Sequence, residues 1–171
     1  GLTLHALGRL DTAIRSFDRA IQLRPGFPEV YRSRGDVLRD AKQWSAAVSS
    51  YDVAIKLRPD YVDAYWNRRL ALLELKKFGA AIADWEMVIK LRPQQNFMFG
   101  DLLHAKTFLC DWTDFESLHA RVKSMIESGI IVSSPFAATG TFDSPAIQQA
   151  VAESWTASHH PPGSALSMPE R

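Results

Sequence analysis

The chain has 171 residues, 46% of them hydrophobic and 11% aromatic, enough to bury a core within the size of one domain or a short repeat array. Lys and Arg number 20 and Asp and Glu 19, so the net charge of +1 gives no global field for nucleic acid or an anionic membrane, and neither is expected as a partner. One cysteine, Cys110, excludes an internal disulfide and paired-cysteine zinc chemistry, and no apolar run approaches the roughly 20 residues of a membrane span.

That composition predicts a cytoplasmic protein. The chain starts at Gly1 without an initiator Met and ends in a Pro-rich tail, so a piece of a longer protein is expected. A repeat runs through its first half. The sequence Ala-Ile-x-Leu-Arg-Pro closes at Pro25 and Pro59, and a variant with Val88 in place of Ala closes at Pro93. The step from Pro25 to Pro59 equals the step from Pro59 to Pro93, and moving back by that period aligns Ala13, Ala47 and Ala81, then Phe17, Tyr51 and Trp85, then Ala20, Ala54 and Val88.

Apolar residues within each unit fall at helical intervals, as in Ile14, Phe17, Ile21 and again in Val48, Tyr51, Ile55. Two helices per unit are therefore predicted, near 11–23, 29–40, 45–57, 62–75 and 79–91. The Arg-Pro steps should end the second helix of each pair, because a residue before Pro is pushed out of the helical region.

The positions of Tyr31, Gly35, Ala47, Tyr51, Ala54 and Pro59 resemble the tetratricopeptide repeat. The resemblance implies an all-α, right-handed superhelical solenoid over residues 1–93: a partial unit 1–25 and units 28–61 and 62–95. In the last of these Arg69 stands where the pattern has Gly. It is expected to widen the helix crossing or to snorkel outward. The aromatics are expected to pack between units.

A further regularity lies outside the general pattern. Asp18, Asp52 and Glu86 recur at the same period, as do Arg34 and Arg68. Asp18 and Arg34 flank Gly26 symmetrically, and Asp52 and Arg68 flank Asp60 likewise. Antiparallel packing should set each Arg beside the acid of the preceding helix.

After Pro93 the charge reverses: residues 1–93 carry 16 basic and 11 acidic side chains, residues 94–171 carry 4 and 8. Residues 94–128 read as a degenerate fourth helical pair, its first helix at 97–109 and its second at 114–128. Thr113 and Glu116 are spaced as a capping box for the second, with Gly129 as its stop. A loop over 129–142 and a connector helix starting at Ser144-Pro145 make up the segment 129–160, and a disordered linker over 161–171 follows. Cys110 is expected to be a buried structural thiol rather than a nucleophile with His104 or His119. His159-His160 lacks the converging ligands of a metal site.

The runs Phe97 to Lys106 and Cys110 to Phe115, with Ser134-Pro135-Phe136 and Asp143-Ser144-Pro145-Ala146, resemble the connector that joins repeats to the catalytic region in bacterial SPINDLY-like proteins similar to protein O-linked N-acetylglucosamine transferases. The resemblance implies a longer parent that uses a UDP-sugar donor. This chain is expected to hold no catalytic residue, cofactor or metal. Its expected role is a scaffold that presents protein substrates to that region; the alternative is a stand-alone adaptor.

A partner protein or peptide would lie on the concave face, lined by the first helix of each pair. The candidates there are Glu29, Arg32, Asp36, Asp63, Trp66, Asn67 and Leu70. The transferase resemblance implies an inner-face asparagine ladder that grips peptide backbone; Asn67 matches it and Ser33, one period earlier, interrupts it. A solvated Asn67 stays open as the other reading. In the carboxylate-clamp type of tetratricopeptide domain, Lys and Asn stand where this sequence has Arg32 and Asp36, which disfavours a chaperone-tail adaptor. Trp66 is a partner anchor if exposed and an interhelical packing residue if not.

Overall fold

The computed structural model describes residues 1–93, 97–130, 132 and 142–159. The described residues are helical or irregular, without a strand. Their helices are α1 (Leu2–Ala6), α2 (Leu10–Leu23), α3 (Pro28–Asp40), α4 (Trp44–Leu57), α5 (Val62–Glu74), α6 (Phe78–Leu91), α7 (Phe97–Phe108), α8 (Phe115–Glu127) and α9 (Pro145–His159). The chain divides into two compact units, Gly1–Pro93 and Gln94–Arg171. None of these helices is long and apolar enough to cross a membrane.

In the first unit the helix ends follow the Arg-Pro steps. Arg24, Arg58 and Arg92 leave the helical region at φ −147°, −139° and −135°, as the ring of the following proline demands. The turns inside each pair share another device. Gly8, Lys42 and Lys76, successive members of one repeat position, take positive φ of 71°, 58° and 56°. Each closes its helix through paired backbone hydrogen bonds, as where Lys42 N–H reaches the Arg39 carbonyl at 2.8 Å and Gln43 N–H reaches Leu38 at 2.8 Å.

The core is built from the small residues and the aromatics of the repeat. Ala13, Ala47 and Ala81 are fully buried, as is Tyr51, with Phe17 and Trp85 nearly so. Close approach needs a missing side chain. A Cβ on Gly35 would lie 2.5 to 2.8 Å from the Tyr51 ring, and Gly1 stands equally close to Phe17.

The third such position holds Arg69, and snorkelling is overturned. Arg69 is 5% exposed, its guanidinium carbon 3.6 Å from the Trp66 ring centre and 4.5 Å from that of Trp85. A planar, weakly hydrated cation stacks on indole faces, so the two tryptophans make burial more favourable than extension into water.

In the second unit α8 packs against α7 and α9 around Met98, Phe99, Leu103, Val122 and Phe142. Two expectations fail here. Cys110 is exposed, because it takes the turn position one period after Lys76, with φ 54°. The capping box does not form. Thr113 N–H donates to Asp111 Oδ1 at 3.0 Å, an Asx-type turn that engages Thr113, and Asp114 becomes the N-cap in the left-handed region without a side-chain cap. Gly129 does stop α8, at φ 74°. Ser144 and Pro145 open α9, with a 3.5 Å bond from Ile147 N–H to Ser144 Oγ. Most of the expected loop, Ser134-Pro135-Phe136, His160 and the linker 161–171 lie outside the described residues.

Candidate functional site

Helices α3 and α5 carry the seven candidate residues, and the structure gathers three of them. Asp36 accepts hydrogen bonds from Arg32 Nη1 at 2.7 Å, Asn67 Nδ2 at 2.8 Å and the Tyr51 hydroxyl at 2.9 Å. Arg32 and Asp36 meet because residues four apart share a helix face. Arg32 Nε also donates to the Tyr61 hydroxyl at 2.8 Å. Arg39 Nη1 donates to Asn67 Oδ1 at 3.3 Å, and Arg39 and His5 both bond Asp40, His5 Nε2 at 2.6 Å.

A continuous polar network thus links α1, α3 and α5. Burial opposes the Arg32 charge, but Asp36 and Tyr61 more than offset it and hold the guanidinium more firmly protonated. Burial and then the neighbouring Asp36 push the Tyr51 phenol well above its ordinary value. Both groups therefore keep one protonation state at neutral pH. Asn67 spends one donor on Asp36 and its carbonyl on Arg39, so it holds the network together rather than standing as a free ladder amide.

The other four candidates make none of the hydrogen bonds to Asp36. Glu29 and Asp63, one period apart, meet Arg58 and Arg92, also one period apart; Asp63 Oδ1 lies 3.8 Å from Arg92. The backbone first and Arg58 second hold the Glu29 carboxyl below its usual range. Trp66 is half-buried under Arg69. Leu70 lines a cleft of about 390 Å³ together with Arg39 and Asp40 of the network and with Trp44 and Leu73.

Sequence reasoning missed Arg39, Asp40, Tyr51, Tyr61 and His5 as members of the network. Arg39 was findable, since seven residues after Arg32 it returns to the same face of α3. The hydroxyl of Tyr51 was not, because a repeat-pattern aromatic is read as core.

Residues 1–38 and 35–76 match the family model described as TPR repeat. Residues 1–76 therefore carry tetratricopeptide repeats, and the paired-helix fold continues through α6 to Leu91. No curated protein matches the chain. Among solved structures, the first TPR of Spaghetti (RPAP3) bound to HSP90 peptide SRMEEVD is 25% identical, with 64% of this chain and 87% of that chain covered and a TM-score of 0.60. MamA 41-end from Desulfovibrio magneticus RS-1 is 22% identical, covering 75% and 72%, with a TM-score of 0.62. Another crystal structure of MamA is 16% identical over 90% and 89%, with a TM-score of 0.64. The two MamA likenesses bear on the fold alone. Among the described residues no group of three or more His, Cys, Asp or Glu is placed to hold a metal ion.

Proposed function

We propose that the array is a protein-interaction scaffold that holds a peptide segment of a partner along the face of α1, α3 and α5, in the cytoplasm. The observation that carries this reading is the network centred on Asp36. It fixes Arg32, Arg39 and Asn67 in place, so their remaining donors are pre-organised for a ligand at little entropic cost. The peptide-bound RPAP3 structure at 25% identity supports the same use of the fold. The peptide chemistry is expected to differ, because Asp36 and Glu29 on this face disfavour an acidic tail such as SRMEEVD.

The finer reading is that the scaffold serves a UDP-N-acetylglucosamine-dependent protein glycosyltransferase region in a longer parent, presenting Ser- or Thr-bearing substrates to it. The connector motifs between Phe97 and Ala146 support it. Extending the reading frame past Arg171 tests it: alternating strands and helices with nucleotide-binding signatures are expected, and their absence would leave the stand-alone adaptor. For the scaffold itself, a peptide array probed with the protein should yield binders that Arg39→Ala with Asn67→Ala weakens by about tenfold or more. Undiminished binding would remove the inner face from the account.

A further inference from the structure

Arg34 and Arg68 stand one period apart and each grips an acid of the preceding helix. Arg34 Nε donates to Asp18 Oδ1 at 2.7 Å, and Arg68 Nη1 donates to Asp52 Oδ1 at 2.6 Å. On their other side they differ. Arg68 makes two parallel bonds to Asp84, Nε to Oδ2 at 2.9 Å and Nη2 to Oδ1 at 2.5 Å. The Asp84 side chain is 2% exposed.

The residue one period before Asp84 is Ser50. Its hydroxyl accepts a single bond from Arg34 Nη1 at 2.7 Å and donates its proton to the Ala46 carbonyl at 3.0 Å. A short neutral acceptor therefore stands where the next unit has a bidentate carboxylate. Ser50 itself is 2% exposed, and beside it a cleft of about 450 Å³ is lined by Arg34, Asp18, Ile21, Val53 and Tyr31.

We propose that this cleft is a carboxylate-binding site that takes an Asp or Glu side chain of a partner peptide on the Nη groups of Arg34, because Asp18 holds the Nε that its counterpart Arg68 gives to Asp84. The next unit shows that the repeat accommodates a carboxylate beside this arginine when the second helix itself carries it. It also shows one guanidinium carrying two carboxylates, Asp52 and Asp84, so Asp18 does not exclude a second anion on Arg34. Ile21, Val53 and Tyr31 supply apolar wall beyond the reach of a bare carboxylate, which favours an acid flanked by apolar residues. The site lies on the side of α3 away from Asp36, since residues two apart are turned by roughly 200° about a helix axis. It stands or falls independently of the inner-face reading.

The test follows the Arg34 Nε–H resonance by NMR during titration with acetyl-Leu-Asp-Leu-amide, its Asn analogue and acetate. The Asp peptide should produce a saturable shift with a Kd of about 1 mM or tighter, and the Asn peptide and acetate should bind about tenfold more weakly. Ser50→Asp should abolish the response by supplying the carboxylate internally, while Ser50→Ala should keep it. If Ser50→Asp fails to fold, Arg34→Gln takes its place and must lose the binding. Absence of saturation, equal binding of the Asn peptide, or undiminished binding to the filled site would overturn the proposal. Acetate binding as tightly as the peptide would overturn the assignment to a peptide side chain.

Discussion

The Arg68 guanidinium lies against the buried Asp84 carboxylate in a two-bond fork that joins α5 to α6. Replacing Asp84 with Ala leaves the cation facing a hole, with the exposed Asp52 as its carboxylate partner and the Tyr65 ring 5.5 Å away. The expected loss is about 3 to 5 kcal/mol by urea denaturation. The double variant Arg68→Ala with Asp84→Ala should lose less than the two single losses together. At the preceding junction Asp18 is 41% exposed, so Asp18→Ala should cost under about 1 kcal/mol.

Gly35 is required by close approach, so Gly35→Ala pushes a methyl group into the fully buried Tyr51 ring. A loss of about 1 to 3 kcal/mol is expected. Gly79, also helical, has nothing within 4 Å of its missing Cβ, and Gly79→Ala should be neutral or stabilising by up to about 1 kcal/mol. Equal effects at the two positions would show that packing against Tyr51 is not the cause.

Arg69 is held by two indole faces, and lysine does not reproduce a stacked planar cation. Arg69→Lys should lower the thermal midpoint, and Arg69→Ala should lower it further while shifting Trp fluorescence as Trp66 and Trp85 gain water. Retention of the wild-type midpoint in Arg69→Ala would contradict the stacking account.

Partial burial pushes the Asp40 carboxyl up, but hydrogen bonds from His5 and Arg39 more than offset it and hold the pKa below its ordinary 3.8. A depressed folded pKa gives stability that is present above the unfolded value and lost as pH falls through the folded one. The chain should therefore lose part of its stability on acidification below about pH 4. His5→Gln with Arg39→Gln should flatten that part of the profile; an unchanged acid limb would remove Asp40 from it.

The constant step between the Arg-Pro closures made the paired helices legible, and the symmetry about Gly26 and Asp60 made the Arg34–Asp18 and Arg68–Asp52 pairs legible too. Asp84 was hidden because its counterpart is Ser50, so no repeating acid marked it. Arg69 was hidden for another reason: its burial depends on Trp66 and Trp85 meeting across two helices, a contact the repeat pattern does not encode. Glu29 and Asp63 read as partner contacts, although Arg58 and Arg92 recur at the same period. Their pairing spans the intervening α4 or α6, beyond any local spacing rule. Thr113 and Glu116 had the spacing of a cap, but Asp111 engages the Thr113 amide.

Photo-crosslinking most directly tests whether the face of α1, α3 and α5 is the binding face. A benzophenone side chain replacing Leu70 on α5, or Ala83 exposed on α6, would be irradiated with a peptide selected from the array. The account predicts adducts from position 70 that excess unlabelled peptide suppresses, and none from position 83. Adducts from position 83 alone would contradict it.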